Sequence, residues 1–269
     1  MGPFTSIIVE ARNGIVSVAL NRPDRRNAFD HRMVTELCDA FTKLGGDETV
    51  RAVTLSGAGP AFCGGADLRW LAPDRPVTQA EAREDAERLV RMYRAIDECP
   101  CPVIGRIHGS AFGGGVGLVA VCDVAVAADD VVFGLSEVRL GLIPAAIAPF
   151  LLRKAGESFL RRYALTGESF SSSVALRCGL VHDVIEPDQL QLRIDELADA
   201  TLRAAPQATR ETKALLHRLR GRGDGEGWDA CAQANAEARL SSEAREGLQA
   251  FFNKRSPAWS QRTDRSPQQ

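Results

Sequence analysis

Apolar and polar positions alternate with a period of two through "SIIVEA" and "GIVSVAL", on either side of Arg12–Asn13–Gly14. That alternation predicts two short strands joined as a hairpin. The period then lengthens. In "FDHRMVTELCDAFTKLGG", Met33, Leu37, Phe41 and Leu44 fall on one helical face, with Asp30 as the cap and a glycine pair as the stop. "VRAVTLSG" returns to strand, and "APDRPVT" is a polar loop. Thr78 and Glu81 have the spacing of a capping box and open a helix that runs to about Asp97. "PVIGRIHG" reads as a strand, the glycine-rich stretch after it opens a buried helix, and "CDVAVAADD" returns to strand. Strands that alternate with helices need crossover connections, so the pattern predicts an α/β fold with a largely parallel sheet.

After about Ile185 the character changes. "QLQLRIDELADATLRAAP", "TRETKALLHRLR" and "GWDACAQANAEARLSSEAREGLQAFFNKR" have helical spacing and few β-branched runs. A boundary near residue 200 divides an α/β core (1–200) from a helical C-terminal region (201–269), and "SPAWSQRTDRSPQQ" reads as a mobile tail.

Composition narrows the function. The 269 residues suffice for one large α/β domain or one domain with an appendage. A net charge of −2 gives no general electrostatic case for nucleic acid or an anionic membrane as partner. No apolar run is long enough to span a bilayer, since Asp123 interrupts the longest, and "MGPFTSIIVEARNG" lacks the features of a secretory signal. Seven scattered cysteines, Cys38 and Cys122 among them in apolar runs, read as reduced thiols of a cytoplasmic protein. "CPCP" lacks the second ligand pair of a zinc site, so no metal is expected.

The candidate chemistry lies in three segments. "GSAFGGGVGLVAVCDVAVA" (109–127) carries five glycines in its first nine residues, where a buried helix begins. Each glycine inside a helix costs about 1 kcal/mol relative to alanine, so the cluster needs a reason. The first turn of a helix offers unpaired N–H donors suited to negative charge. A second glycine loop, "GAGPAFCGGADLRWL" (57–71), follows a strand, at the end where open parallel sheets bind ligands. "VVFGLSEVRLGLIP" places one carboxylate, Glu137, in an apolar setting. Two sets of backbone donors and a carboxylate of raised pKa suit chemistry through an enolate.

Plainer readings compete. The glycines can serve a tight turn with close helix packing. "GVGLVA" (115–120) also fits the loose dinucleotide fingerprint, but that motif belongs directly after a strand and "HGSAFGG" intervenes. No G-K-[ST] follows either glycine run, which removes a phosphate loop. His108, His182 and His217 read as turn, cap or surface residues, and Cys63 as a small packing residue.

Taken in order, "VALNRPDRRNAFD", "FCGGADL", "GSAFGGGVGLVAVCDVAVAA", "FGLSEVRLGLIP", "ALTGESFSSSVALRCGLVHDVI" and "EGLQAFFNKRSPAW" resemble the enoyl-CoA hydratase/isomerase (crotonase) superfamily over nearly the whole chain. The resemblance implies a crotonase-like spiral of ββα units, a C-terminal helical region making subunit contacts, and a homotrimer or a homohexamer built as a dimer of trimers. It implies an acyl-CoA substrate, with coenzyme A part of that substrate and no separate cofactor. By position, Ala66 and Gly114 would supply oxyanion-hole N–H groups and Glu137 the catalytic carboxylate. Ala66, Asp67, Leu68 and Arg69 would line the thioester end, with Ala28, Gly117 and Phe252 also against the substrate. Arg25 or Arg26, and Lys254, resemble residues that meet CoA phosphates.

One departure bears on the reaction. Typical hydratases of this family carry a second glutamate where this chain has Gly117, and "AAIAPF" replaces the usual glycine-rich stretch after "IP". Both features resemble the bacterial methylglutaconyl-CoA hydratase branch, which acts in leucine and terpenoid breakdown. Gly117 is expected to leave room for a branched or bulkier acyl group, and Arg139 is a candidate partner for a distal substrate carboxylate. Hydration of an α,β-unsaturated acyl-CoA leads. Isomerisation or decarboxylation through the same enolate, and a non-catalytic acyl-CoA-binding role, stand as alternatives.

Overall fold

The computed structural model describes residues 4–72, 75–221 and 227–260. The strands in chain order are β1 (Ile7–Arg12), β2 (Ile15–Leu20), β3 (Ala52–Gly57), β4 (Val103–Ile107), β5 (Ser110–Phe112), β6 (Val124–Ala128), β7 (Val132–Gly134), β8 (Ser169–Ser171) and β9 (Asp183–Ile185). Six form the main sheet in the order β1-β2-β3-β4-β6-β9, and the other three form a second sheet, β5-β7-β8. β1 and β2 are the antiparallel hairpin, turning at Asn13 (φ +52°) and Gly14 (φ +81°). Every later neighbour in the main sheet is parallel, as the alternation of strands with helices predicts.

The core helices are α1 (His31–Gly46), α2 (Leu68–Leu71), α3 (Gln79–Asp97), α4 (Gly114–Val121), α5 (Ala148–Ala155), α6 (Glu157–Thr166), α7 (Ser172–Arg177) and α8 (Leu190–Arg203). Local signals set their starts. Asp30 accepts from Met33 N (3.0 Å), and Thr78 with Glu81 forms the reciprocal capping box of α3. Met33, Leu37, Phe41 and Leu44 are all buried, so the apolar face of α1 is the one its spacing marks. α4 is buried from Gly115 to Val121, which explains why it shows no amphipathic pattern.

Three features bear on the sequence reading. Between β4 and α4 the chain inserts β5, and β7 and β8 complete a sheet that no periodicity announces. Each of these strands is three residues long, too short for alternation to register. The division expected near residue 200 falls inside α8, which packs on β3, β4 and β6; the chain leaves that helix at Ala204. The expected tail is docked as far as Ser260. Trp259 Nε1 donates to Arg203 O (3.2 Å) and Ala258 N to Glu246 Oε1 (2.9 Å), while residues 261–269 lie outside those described, as do Pro73 and Asp74 of the polar loop.

The C-terminal helices are α9 (Pro206–Arg218), α10 (Trp228–Leu240) and α11 (Ser242–Phe252). α9 is fastened to the core by the buried Lys213, which reaches Asp123 and the Cys101 carbonyl. Beyond it several large apolar side chains are exposed. Trp228 (69% exposed), Leu240 (80%), Phe251 (77%) and Phe252 (75%) face outward. Among the described residues no helix is long and apolar enough to cross a membrane.

Candidate active site

The two glycine loops lie side by side, joined by a short ladder. Phe62 N donates to His108 O (3.0 Å), Cys63 N to Ser110 O (3.1 Å) and Phe112 N to Cys63 O (3.0 Å). Their approach leaves no space for side chains. A Cβ on Gly65 (φ +90°) would stand 2.7 Å from Phe112 O and 3.2 Å from Gly114 N.

Among the described residues, Ala66 N and Gly114 N are backbone donors without an acceptor in this junction. Phe29 N donates to Gly65 O (2.8 Å) and Asp67 N to Phe29 O (2.9 Å), a parallel bridge that turns the intervening Ala66 N–H to the opposite side. Gly114 opens α4 directly after Gly113, which adopts φ +50° and gives its own N–H to Gly134 O (2.8 Å). Among the described residues neither Ala66 N nor Gly114 N meets an acceptor. Two such N–H groups at one junction can stabilise an oxyanion.

Glu137 begins a single 3-10 turn after β7, and its carboxylate faces Gly113. A Cβ on that glycine would stand 3.1 Å from Glu137 Oε1. Oε2 is buried and has no hydrogen-bond partner among the described residues. Burial pushes this carboxyl's pKa above the ordinary glutamate value. A carboxylate so placed, next to the residue preceding a free N–H, can take or return a proton beside a bound carbonyl.

Other expected residues gather around the same junction. Arg26 O accepts from Gly64 N (2.7 Å), the Ala28 side chain lies near Gly64, and Arg25 and Arg26 are exposed beside it. Leu68 and Arg69 stand exposed on α2 directly after Ala66. Asp67 serves the loop itself. It caps α2 by accepting from Arg69 N (3.1 Å) and pairs with Arg22 (3.1 Å), so its carboxylate is committed within the protein.

One expectation is corrected, and three residues stand apart from the loops within a single chain. The space beside Gly117 is filled: an added Cβ would overlap Ile147 Cγ2 and lie 3.0 Å from both Ile147 Cβ and Tyr93 Cε1. Arg139 does not turn to the junction. Its side chain packs over Gly167, and its charge acts on Glu168, whose carboxyl Arg162 chiefly holds below the usual range. Phe252 and Lys254 stand exposed at the end of α11, and no hydrogen bond or ion pair of theirs reaches the glycine loops.

Some residues that build the site escaped the sequence reading. Asn27 is fully buried, accepts from Arg22 N (2.9 Å) and donates to Ala58 O and Ala61 O (2.8 Å each), tying the first loop to β3's end. Arg22 holds Ala28 O, Asp67 and Asp30 together. Tyr93 Oη donates to Gly114 O (2.8 Å) from the buried face of α3. The signal for Tyr93 was a phenol among apolar residues on one helical face. Cys63 is the packing residue expected, its thiol pushed up to about 12 by burial. His108 and His182 bond backbone groups, Gly59 O (2.9 Å) and Ala125 N (2.9 Å).

A family model described as enoyl-CoA hydratase/isomerase matches residues 10–262. A putative enoyl-CoA hydratase of Thermus thermophilus is 35% identical over 254 residues, covering 93% of this chain and 99% of that protein. A mevalonyl-coenzyme A hydratase, sidH, of Aspergillus fumigatus is 32% identical, covering 91% of each. Among solved structures, Pseudomonas aeruginosa AtuE superposes with a TM-score of 0.92 at 38% identity, covering 96% of this chain and all (100%) of that one.

Proposed function

The chain belongs to the enoyl-CoA hydratase/isomerase family, and from that premise we propose that it adds water to an α,β-unsaturated acyl-CoA with Glu137 as its proton carrier. It is a hydro-lyase acting on acyl-CoA thioesters. The observation that carries the assignment of residues is the unpartnered Glu137 Oε2 beside the free Gly114 and Ala66 donors.

The thioester oxygen sits between Ala66 N–H and Gly114 N–H. As the oxygen of water bonds to C3, the electron pair of the double bond moves through C2 onto the thioester oxygen, where the two donors meet it. Glu137 takes a proton from the water and returns a proton to C2, which restores the thioester and leaves a 3-hydroxyacyl-CoA. The pKa raised by burial suits a carboxylate that must both accept and release a proton. The CoA end runs past Arg25, Arg26 and Ala28, and Phe252 and Lys254 reach it from a neighbouring subunit in a homotrimer or a dimer of trimers. The finer substrate reading is a branched or glutaconyl-type acyl group. Its support is the "GGGVGLVA" and "SEVRLGLIPA" motifs; it draws none from free space at Gly117, which Ile147 fills.

A second reading has its own observation. Ile147 and Tyr93 wall position 117, where a second carboxylate would stand, and leave no space for one. A lone carboxylate can carry a proton from C4 to C2 and so move the double bond without water. Crotonyl-CoA, 3-enoyl-CoA and methylglutaconyl-CoA, incubated separately and followed by mass spectrometry, decide the matter. A gain of 18 mass units means hydration, unchanged mass with a shifted double bond means isomerisation, and a loss of 44 means decarboxylation.

A further inference from the structure

Tyr93 stands behind the two donors. It is 1% exposed, and its hydroxyl donates to Gly114 O (2.8 Å). The ring is held edge-on by Phe29, with centroids 6.5 Å apart, and tilted against Phe150 at 5.9 Å. Phe29 in turn brackets the other donor through its bonds to Gly65 O and Asp67 N, while its ring presses on Gly114. One aromatic pair therefore reaches both free N–H groups. Gly113, Gly114 and Gly115 have the most backbone freedom of any residue type, so the direction of Gly114 N–H depends on what grips the segment. The grips are Gly113 N on Gly134 O, Val116 N and Gly117 N on Gly113 O, and Tyr93 Oη on Gly114 O, one peptide further on.

We propose that Tyr93 is a positioning residue for the reaction: through Gly114 O and its packing on Phe29, it fixes the aim of Gly114 N–H relative to Ala66 N–H. It touches no substrate. The inference rests on the reading above that these two donors hold the thioester oxygen. Burial first, with Cys63 and Glu137 nearby, keeps the phenol pKa well above its ordinary value, so the hydroxyl stays a donor throughout the working pH range. A purely structural tyrosine would affect stability and leave carbonyl polarisation alone.

Tyr93→Phe keeps the ring and removes the one hydrogen bond. Cinnamoyl-CoA is the probe, because its conjugated absorption moves to the red as the thioester carbonyl is polarised. Wild-type protein should shift the band, and Y93F should shift it less. With the thioester turned over fastest in the panel above, kcat should fall about tenfold while KM stays within about twofold, less than the loss from deleting an oxyanion donor outright. 3-Fluorotyrosine at position 93, a stronger donor of nearly the same size, should increase the red shift, and decides the matter even where Y93F fails to fold. An undiminished band shift in Y93F, with kcat unchanged or falling only alongside thermal stability, overturns the inference and leaves the two-donor reading standing. No band shift in the wild type removes the two-donor reading and this inference with it.

Discussion

Ile147 stands over Gly117, so that a Cβ added to the glycine would overlap Ile147 Cγ2 and lie 3.0 Å from Ile147 Cβ. The two residues come from different helical segments, Gly117 from within α4 and Ile147 from the N-terminal cap of α5. Gly117 is buried as well. In a helix, alanine is ordinarily the better residue by about 1 kcal/mol. Here the packing reverses that preference.

Gly117→Ala is therefore expected to destabilise the protein by about 1–3 kcal/mol, the usual cost of overpacking. Ile147→Ala in the same chain should recover part of that loss, because contacting residues couple. Denaturant melts of the two single variants and the double variant measure the coupling. A Gly117→Ala protein as stable as the wild type would show that Ile147 yields freely.

Glu137→Gln keeps the shape of the side chain and removes its proton chemistry. Turnover is expected to fall by about 10²-fold or more, in the range of general acid–base contributions. Binding of the acyl-CoA, read by titration calorimetry, should survive. In the wild type, turnover should rise with pH along an acid limb lying above the ordinary glutamate value of 4.5, since burial raises this carboxyl. Near-wild-type turnover in the variant would end the assignment.

The same carboxylate weakens the fold. Because burial raises its folded pKa above the unfolded value, its effect is most favourable below the unfolded pKa and is lost as pH rises through the folded pKa. Glu137→Gln should therefore melt higher than the wild type near neutral pH, and the gain should shrink as the pH falls toward 4. Thermal scans at several pH values test it. A gain of equal size at every pH would mean that ionisation of Glu137 has no part in it.

The outward-facing Trp228, Leu240, Phe251 and Phe252 predict self-association through α10 and α11. Phe251→Asp with Phe252→Asp should shift the species seen by light scattering toward monomer and weaken acyl-CoA binding. Lys254→Ala alone should cost about 1 kcal/mol of binding, as for one partly exposed charge contact, and leave kcat unchanged. A fully active wild-type monomer would contradict the shared site.

Features set by neighbouring residues were legible in the sequence. The Asp30 cap, the Thr78–Glu81 box and the apolar face of α1 need only a few consecutive positions, and each stands where its spacing puts it. The second sheet was hidden because three-residue strands carry no usable period. Glu137, Ala66 and Gly114 were visible as types in ordered motifs. Their supports were not, since Tyr93 and Asn27 act on backbone atoms, and Arg22 on the Asp67 carboxylate, far along the chain. The closure of Gly117 was invisible for the same reason, because Ile147 reaches it across a fold that spacing alone does not show.

The main sheet is ordered by birth. Each strand after β1 joins at the edge left by its predecessor in that sheet, so β1-β2-β3-β4-β6-β9 is also the order in which a ribosome delivers them. A growing sheet of this kind never has to open to admit a late strand. New material docks where the edge already waits, and domains are made N-terminus first. The youngest strand always leaves a bare edge. A chain stalled after Ile107 presents the apolar β4 unpaired on one side until Val124 emerges, and that edge is a template for another stalled copy. In the finished protein the last place is taken by β9, only three residues long and half-buried, which leaves little to pair with.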